Sequence, residues 1–180
     1  SLEKNKEKHD CHVYQIERIN NFKEMIDRSA TKYSDHVAYK FKINLGKKNQ
    51  EVIEKTYSDV KKEIQGLGTS LLNMGLEGKK IAIISNNRYE WCISYLSITT
   101  SNMIVVPLDK ILPEGEIKNL ISRSKADAVI FENKYSEIFK KLKDSNELEN
   151  LKIFINMDLS NEKDWRLCAL SAGKLGAAWS

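Results

Sequence analysis

Residues 80–107 read KIAIISNNRYEWCISYLSITTSNMIVVP, and this stretch decides the fold. It opens with a short apolar run at 81–84, which is typical of a strand covered on both faces in a parallel sheet. Residues 87–102 follow with apolar side chains at three- and four-residue steps, which predicts a helix. A second apolar run, 103–106, ends at Pro107 and predicts another buried strand. The stretch is therefore a strand–helix–strand unit.

The same alternation continues towards the C-terminal side. Pro113 is suited to the first turn of the next helix, because its missing N–H is not needed there. A third strand is predicted at 128–131, a helix at 135–142 and a fourth short strand at 153–155. Alternating strands and helices with right-handed crossovers predict an α/β fold: a doubly wound, mostly parallel sheet with helices on both faces.

Two further elements precede this alternation. An amphipathic pattern over 19–33 predicts an N-terminal helix that buries one stripe of side chains. Two alternating runs, 37–43 and 51–57, are separated by turn-forming residues and predict a β-hairpin. We expect the hairpin to lie at the edge of the parallel sheet, where it either extends the sheet or flanks it.

The most regular helical pattern follows the hairpin. Ser58 is expected to be its N-cap, and Gly75 is expected to end it in the left-handed conformation. Gly66 and Gly68 lie inside this helix, so they cannot form the strand-to-helix turn of a dinucleotide-binding motif. The Gly-Lys pair in 75–80 has neither the glycine spacing of a phosphate loop nor a helix after it. These glycines predict close helix packing and a helix-ending turn.

Histidine and cysteine offer little chemistry. His9, Cys11 and His12 form the only local cluster of metal-ligating types, but no partners follow at the spacing of a zinc finger. His36 precedes a predicted strand without a recognisable nucleophile nearby, so a structural role is favoured over a catalytic base. We therefore predict no catalytic, cofactor-binding or metal-binding residue in this chain.

Two loops follow the predicted central strands, and such loops carry the ligand sites of open α/β sheets. In loop 85–91, Asn86 or Asn87 can cap the next helix and Glu90 favours its first turn, so capping is preferred to a ligand or interface role. Loop 107–113 has a proline at each end, which favours a rigid connector.

The composition restricts the class of protein. The chain has 180 residues and a net charge of +4, with 29 basic and 25 acidic side chains interleaved. A mild, dispersed charge argues against a nucleic-acid partner. No apolar run reaches the roughly 18–20 residues that span a bilayer, and no signal peptide is recognisable. Three separated cysteines exclude a disulfide framework, so a cytoplasmic location is expected.

Several segments together resemble the N-terminal part of AMP-forming acyl-CoA synthetases, the adenylate-forming ligases. Within that family they are most similar to the long-chain fatty acid branch. The resemblance extends from about residue 22 to residue 158. Its segments include TYSDV at 56–60, NRYEW at 87–91, VVPLD at 105–109 and SRSKADAVI at 122–130. No single segment is decisive, but their order and spacing are specific.

This resemblance implies an enzyme that activates a fatty acid with ATP and Mg to acyl-AMP and then transfers the acyl group to CoA. The family's phosphate loop, magnesium-binding acid, ribose-binding aspartate and C-terminal lysine are not recognisable here, so no catalytic residue is carried over. The resemblance implies an N-terminal fragment that is inactive alone and whose main partner is the remainder of the ligase. Residues 1–15 are expected to be a flexible N-terminus, 16–158 the N-terminal subdomain, and 159–180 a linker with a non-native tail from 166.

Two alternatives stay open at this point. A self-contained flavodoxin-like module would bind a small molecule, although loop 85–91 lacks the hydroxyls and glycines that such a site presents to phosphate. An interaction protein would use the apolar surface that a cut domain exposes, and self-association would then be expected.

Overall fold

The computed structural model describes residues 18–43, 46 and 50–158. Strands and helices alternate along the chain as the sequence predicts. Their bounds are α1 Phe22–Lys32, β1 Val37–Ile43, β2 Glu51–Thr56, α2 Tyr57–Asn73, β3 Lys80–Ile84, α3 Tyr89–Thr100, β4 Ile104–Pro107, α4 Glu114–Ser124, β5 Ala128–Phe131, α5 Ser136–Ser145 and β6 Ile153–Asn156. A single 3-10 turn, Asn133–Tyr135, precedes α5.

Strands β3 to β6 form one parallel sheet in the order β4-β3-β5-β6. Alternate side chains of the central strands face opposite sides, so each strand contributes to two cores. Ile81 and Ile83 of β3 pack with α2 and α3, whereas Ala82 and Ile84 pack with α4 and α5. This arrangement confirms the predicted doubly wound α/β fold with helices on both faces.

The hairpin forms a two-stranded sheet of its own, so it flanks the parallel sheet and does not extend it. Tyr39 and Phe41 of β1 contact the ring of Tyr89, with ring centroids 5.2 and 4.8 Å apart. The Glu63 carboxylate in α2 accepts a hydrogen bond from the Tyr89 hydroxyl at 2.7 Å. It also forms an ion pair with Lys55, whose Nζ lies 3.0 Å from Glu63 Oε1. A nearly buried carboxylate therefore ties the hairpin to α2 and α3.

The caps of two helices differ from the prediction. Helix α2 is capped by Thr56 and not by Ser58: Asp59 N–H donates to the Thr56 hydroxyl, and the Asp59 carboxylate accepts from Thr56 N–H, both at 3.1 Å. This capping box was preferred because both partners satisfy backbone donors at once. Gly75 ends the helix with a φ of +77°, as predicted. Pro113 is the N-cap of α4, one residue before the predicted position in its first turn.

Burial corrects two further predictions. The run 103–106 was expected to be a strand covered on both faces, but β4 is an edge strand and Ile104 is 51% exposed. The N-terminal helix begins at Phe22, so Ile19 lies outside it and is exposed, and Ala30 is its one buried residue within the described part. A sequence pattern records apolar side chains but not whether a neighbouring element covers them.

Candidate functional site at the carboxyl edge of the sheet

The four parallel strands all end at one edge of the sheet, and the loops that follow them form the candidate site. Strand β3 is the first strand of the sheet in the sequence. Strand β4 lies on one side of it, and β5 and then β6 lie on the other side. The strand order therefore reverses between β3 and β5. In open α/β sheets this switch point is the usual place of a ligand.

At the switch point, Asn86 after β3 meets the residues after β5. Asn86 N–H donates to Glu132 Oε2 at 2.7 Å, and its side-chain amide donates to Glu132 Oε1 at 3.1 Å. Lys134 Nζ donates to Asn86 Oδ1 at 3.3 Å and lies 3.9 Å from the Glu132 carboxylate. The crevice is therefore bridged by side chains of the chain itself.

The predicted capping role of Asn86 and Asn87 was wrong. The N-cap position of α3 is Arg88, and its side chain makes no cap hydrogen bond. Asn86 instead bonds Glu132, two residues before the cap. Glu90 does lie in the first turn, as expected. The physical reason is that the Glu132 carboxylate, directly after the neighbouring strand β5, holds Asn86 away from the helix end.

Arg88 links α3 to the end of β6. Its Nε donates to Glu90 Oε2 and its Nη1 donates to Asp158 Oδ1, both at 2.7 Å. The second Asp158 oxygen accepts from Asn133 N–H at 2.7 Å. Burial by itself lowers the pKa of the Arg88 guanidinium, but the bonds to Glu90 and Asp158 outweigh it, and the pKa is raised overall. The guanidinium is therefore a fixed positive charge with both carboxylates already bound.

Loop 107–113 is anchored at two points, which agrees with the prediction of a rigid connector. Leu108 is buried and its N–H donates to Ile83 O at 2.9 Å, while the Tyr135 hydroxyl donates to Lys110 O at 2.8 Å. Ile111 at the tip is 79% exposed.

The other sequence candidates do not join this site. A Cβ on Gly68 would come within 3.3 Å of Ser101 Cβ, so this glycine allows α2 and α3 to approach closely, as predicted. His36 is exposed and stacks edge-on against Tyr33, with 5.8 Å between ring centroids. His9, Cys11 and His12 lie outside the described residues. Burial raises the pKa of Tyr39 to about 12 and the neighbouring Cys92 adds to the shift, so this hydroxyl remains neutral.

Glu132 and Asp158 were not among the residues predicted from the sequence to form a site. Both follow predicted strands at the same edge, β5 and β6, and the rule that singled out loop 85–91 applies to them equally. Their carboxylates were overlooked because attention was limited to the loops after the first two predicted strands. They are the residues that close the edge.

This edge does not form a cradle for a nucleotide phosphate. At the switch point the Glu132 carboxylate accepts the Asn86 N–H and lies near Lys134, whereas a phosphate cradle needs backbone N–H groups and positive charge that are free to bind it. Among residues 18–43, 46 and 50–158, no three His, Cys, Asp or Glu side chains are grouped as a metal site. Within the same residues, no helix is both long and apolar enough to cross a membrane.

Comparisons with known proteins agree with the fold. The chain is 33% identical over 87 residues to long-chain-fatty-acid–CoA ligase 6 of Rattus norvegicus, which covers 46% of the chain and 12% of that ligase. It is 26% identical over 113 residues to a medium/long-chain-fatty-acid–CoA/3-oxocholest-4-en-26-oate–CoA ligase of Mycobacterium marinum, which covers 62% of the chain and 20% of that protein. The chain thus spans less than a quarter of these relatives.

Two solved structures share the architecture. The inhibitor-bound N-terminal domain of FACL13 from Mycobacterium tuberculosis superposes with a TM-score of 0.68 at 17% identity, over 84% of this chain and 35% of that one. Coronafacic acid ligase from Pectobacterium brasiliense gives 0.66 at 23% identity, over 81% and 27%. The family model described as AMP-binding enzyme matches residues 26–172. This chain therefore belongs to the AMP-binding enzyme family, the adenylate-forming ligases.

Proposed function

We propose that this chain is the N-terminal part of an acid–thiol ligase that acts on a fatty acid. In the complete enzyme, the carboxylate would attack the α-phosphate of ATP and release pyrophosphate, leaving an acyl-adenylate. The thiol of CoA would then attack the acyl carbonyl and release AMP. The observation that carries the proposal is the family match over residues 26–172, which covers most of the chain.

The choice of a fatty acid rests on two relatives. The rat and Mycobacterium marinum proteins are both described as long-chain or medium/long-chain fatty acid–CoA ligases. A third relative, from Gibberella moniliformis, is described only as a CoA ligase. Fatty acid is therefore the substrate class that we assign to the complete enzyme, with ATP, Mg and CoA as its further requirements.

We also propose that the 180-residue chain does not catalyse this reaction alone. The carboxyl edge of its sheet is bridged by Asn86, Glu132 and Lys134, and Arg88 is bound on both sides by carboxylates. Within the described residues, the bridge across the switch point and the Arg88 guanidinium are thus engaged inside the chain, and we assign neutralisation of the ATP charge, which such attack requires, to other parts of the ligase. The role of this subdomain would be to support a nucleotide site that other parts of the ligase form.

The domain limits and the location are part of the same proposal. Residues 16–158 are assigned to the ligase subdomain, with 1–15 and 159–180 outside it, although the family match runs on to residue 172. The structure describes only residues 18–43, 46 and 50–158 of these ranges, and the rest of each range lies outside the described residues. A cytoplasmic location is proposed from the sequence, which has no disulfide spacing.

The test is exchange of radioactive pyrophosphate into ATP in the presence of fatty acids of several lengths. We expect no fatty-acid-dependent exchange from the 180-residue chain. We expect exchange from a protein translated through the downstream reading frame of the same gene. Exchange by the short chain would contradict its inactivity, whereas a downstream stop codon, or no carboxylate-dependent exchange by the longer protein, would contradict the ligase assignment.

A further inference from the structure

One acidic side chain, Asp158, joins the segments that follow three strands of the sheet. Its Oδ1 accepts a hydrogen bond from Arg88 Nη1 after β3, and its Oδ2 accepts one from Asn133 N–H after β5, both at 2.7 Å. Asp158 itself follows β6. Hydrogen bonds to an ionised carboxylate are shorter and roughly twice as strong as those between neutral groups. The three segments therefore share one charged centre.

The two helical segments that begin at these loops have no side-chain cap of their own. Arg88 is at the N-cap position of α3 and Glu132 at that of the 3-10 turn before α5, and within the described part of the chain neither side chain makes a cap hydrogen bond. The first turn of such a helix has unsatisfied backbone N–H groups and frays easily. Asp158 bonds the first N–H of the 3-10 turn directly, and it holds Arg88 at the start of α3. Both beginnings therefore depend on the same carboxylate.

Asp158 is itself held by a ring of hydrogen bonds. Its N–H donates to Asn156 Oδ1 at 2.8 Å, and the Asn156 side-chain amide donates to Asn133 Oδ1 at 3.0 Å. The ring closes where Asn133 N–H donates to Asp158. The side chains of Arg88 and Asp158 are 26% and 31% exposed, so water competes with their bond only in part. Members of such a network support one another, and displacement of one loosens the rest.

We propose that Arg88, Asp158 and Asn133 form a latch through which the segments after β3, β5 and β6 open and close as one unit. In the closed state the Arg88 guanidinium lies on Asp158, as the structure shows. In the open state Arg88 is released, and the first turns of α3 and of the 3-10 turn are freed together. Contiguous parts of a folded protein commonly open in such cooperative units.

The position of the latch gives this coupling a use. It lies at the carboxyl edge of the sheet, where the loops of open α/β folds bind their ligands. A displacement of the chain at the end of β6 therefore changes the loop after β3. Because coupling between two places is reciprocal, an event at that loop also changes the end of β6.

The experiment is native-state hydrogen exchange of the 180-residue chain at a series of low urea concentrations, followed amide by amide by NMR. The informative amides are those of Asn133 and Asp158 and that of Trp91, whose N–H donates to Arg88 O at 3.2 Å in the first turn of α3. We expect their exchange rates to follow one common dependence on urea, because a single opening exposes all three. Three separate dependences would overturn the proposal.

Two variants test the latch from its two ends. Arg88→Gln leaves the Asp158 acceptor in place, yet it should speed exchange of the Asn133 amide about tenfold, since hydrogen bonds to charged groups contribute that much. Asp158→Asn should speed exchange of the Trp91 amide, whose own acceptor is unchanged. The double variant should exchange no faster than the faster single variant, because both changes remove the same contact.

Lys134→Gln is the matched control, because Lys134 is another cation of the same edge, bonded to Asn86 and near the Glu132 carboxylate. It should leave the exchange of the Trp91 and Asp158 amides unchanged. Acceleration confined to Trp91 in Arg88→Gln, or an equal effect of Lys134→Gln, would mean that the segments open independently and that the latch is wrong. Circular dichroism checks that each variant folds, and the urea series on the unaltered chain decides the matter if one does not. None of these rates depends on ligase activity, so the result is separate from that of pyrophosphate exchange.

Discussion

Strands β3 and β4 pair with each other and have similar apolar sequences, yet their surroundings differ completely. Ile83 in β3 is fully buried between two layers of helices, whereas Ile104 in β4 is 51% exposed at the sheet edge. The difference lies in the order of the strands, since β5 was added beside β3 and left β4 outermost. Similar sequences therefore contribute very different amounts to stability, according to what covers them.

The largest expected effect tests this comparison directly. Ile83→Ala removes buried atoms from the core beneath α2 and α3, and should lower the free energy of unfolding by about 3–4 kcal/mol. Ile104→Ala, the matched change on the edge strand, should cost less than about 1 kcal/mol because its side chain is half in water. Urea unfolding of both variants measures the difference, and equal costs would mean that β4 is covered as β3 is.

The next test moves from the sheet to the helices that cover it. Gly68→Ala should lower the free energy of unfolding by about 1 kcal/mol. The new Cβ would clash with Ser101, and this clash should cost more than the higher helix propensity of alanine contributes. Adding Ser101→Ala should recover most of this loss. Gly115→Ala in α4, where nothing lies within 4 Å of the new methyl, should instead stabilise the protein. Thermal unfolding that ranked the two alanines alike would show that α2 and α3 do not approach closely.

A smaller effect separates the observed cap from the expected one. Thr56→Ala should destabilise the protein by about 1 kcal/mol, and Ser58→Ala by less than about 0.5 kcal/mol. The bonds from Thr56 lower the pKa of the Asp59 carboxyl below its usual value of 3.8. Its stabilisation is therefore present above pH 3.8 and is lost as the pH falls through the lower folded value. Urea unfolding at pH 7 and pH 3 should show the gap between wild type and Thr56→Ala narrowing.

The smallest effect belongs to the surface of the hairpin. Lys40 and Glu54 form an ion pair of 2.5 Å across β1 and β2, with both side chains largely exposed. Glu54→Gln should change the free energy of unfolding by no more than about 0.5 kcal/mol, and the change should vanish in 1 M salt. A loss of several kcal/mol would mean that this exposed ion pair stabilises the protein as much as a buried side chain such as Ile83 in β3, and would contradict the prediction.

Central strands were predicted correctly from the sequence, and the edge strand β4 was not. The run 81–84 and the run 128–131 predicted β3 and β5 well, because a strand covered on both faces carries its environment in its own composition. The run 103–106 looked equivalent and was not. For the candidate site, the position of a loop after a predicted strand was enough to locate the edge of the sheet where the site lies. The contact between Asn86 and Glu132, however, joins residues 46 apart in sequence. No local pattern contains such a contact.

The sequence by itself determined which segments become strands and helices, that the sheet is parallel with helices on both faces, and which family the chain resembles. Hydrophobic periodicity, proline and glycine act over a few residues, and these choices are local. The tertiary structure alone decided that β3 and β5 are central, that the hairpin stands apart, and that carboxylates after β5 and β6 close the carboxyl edge. Those outcomes depend on which distant segments meet, because burial and ion pairing are properties of neighbours in space.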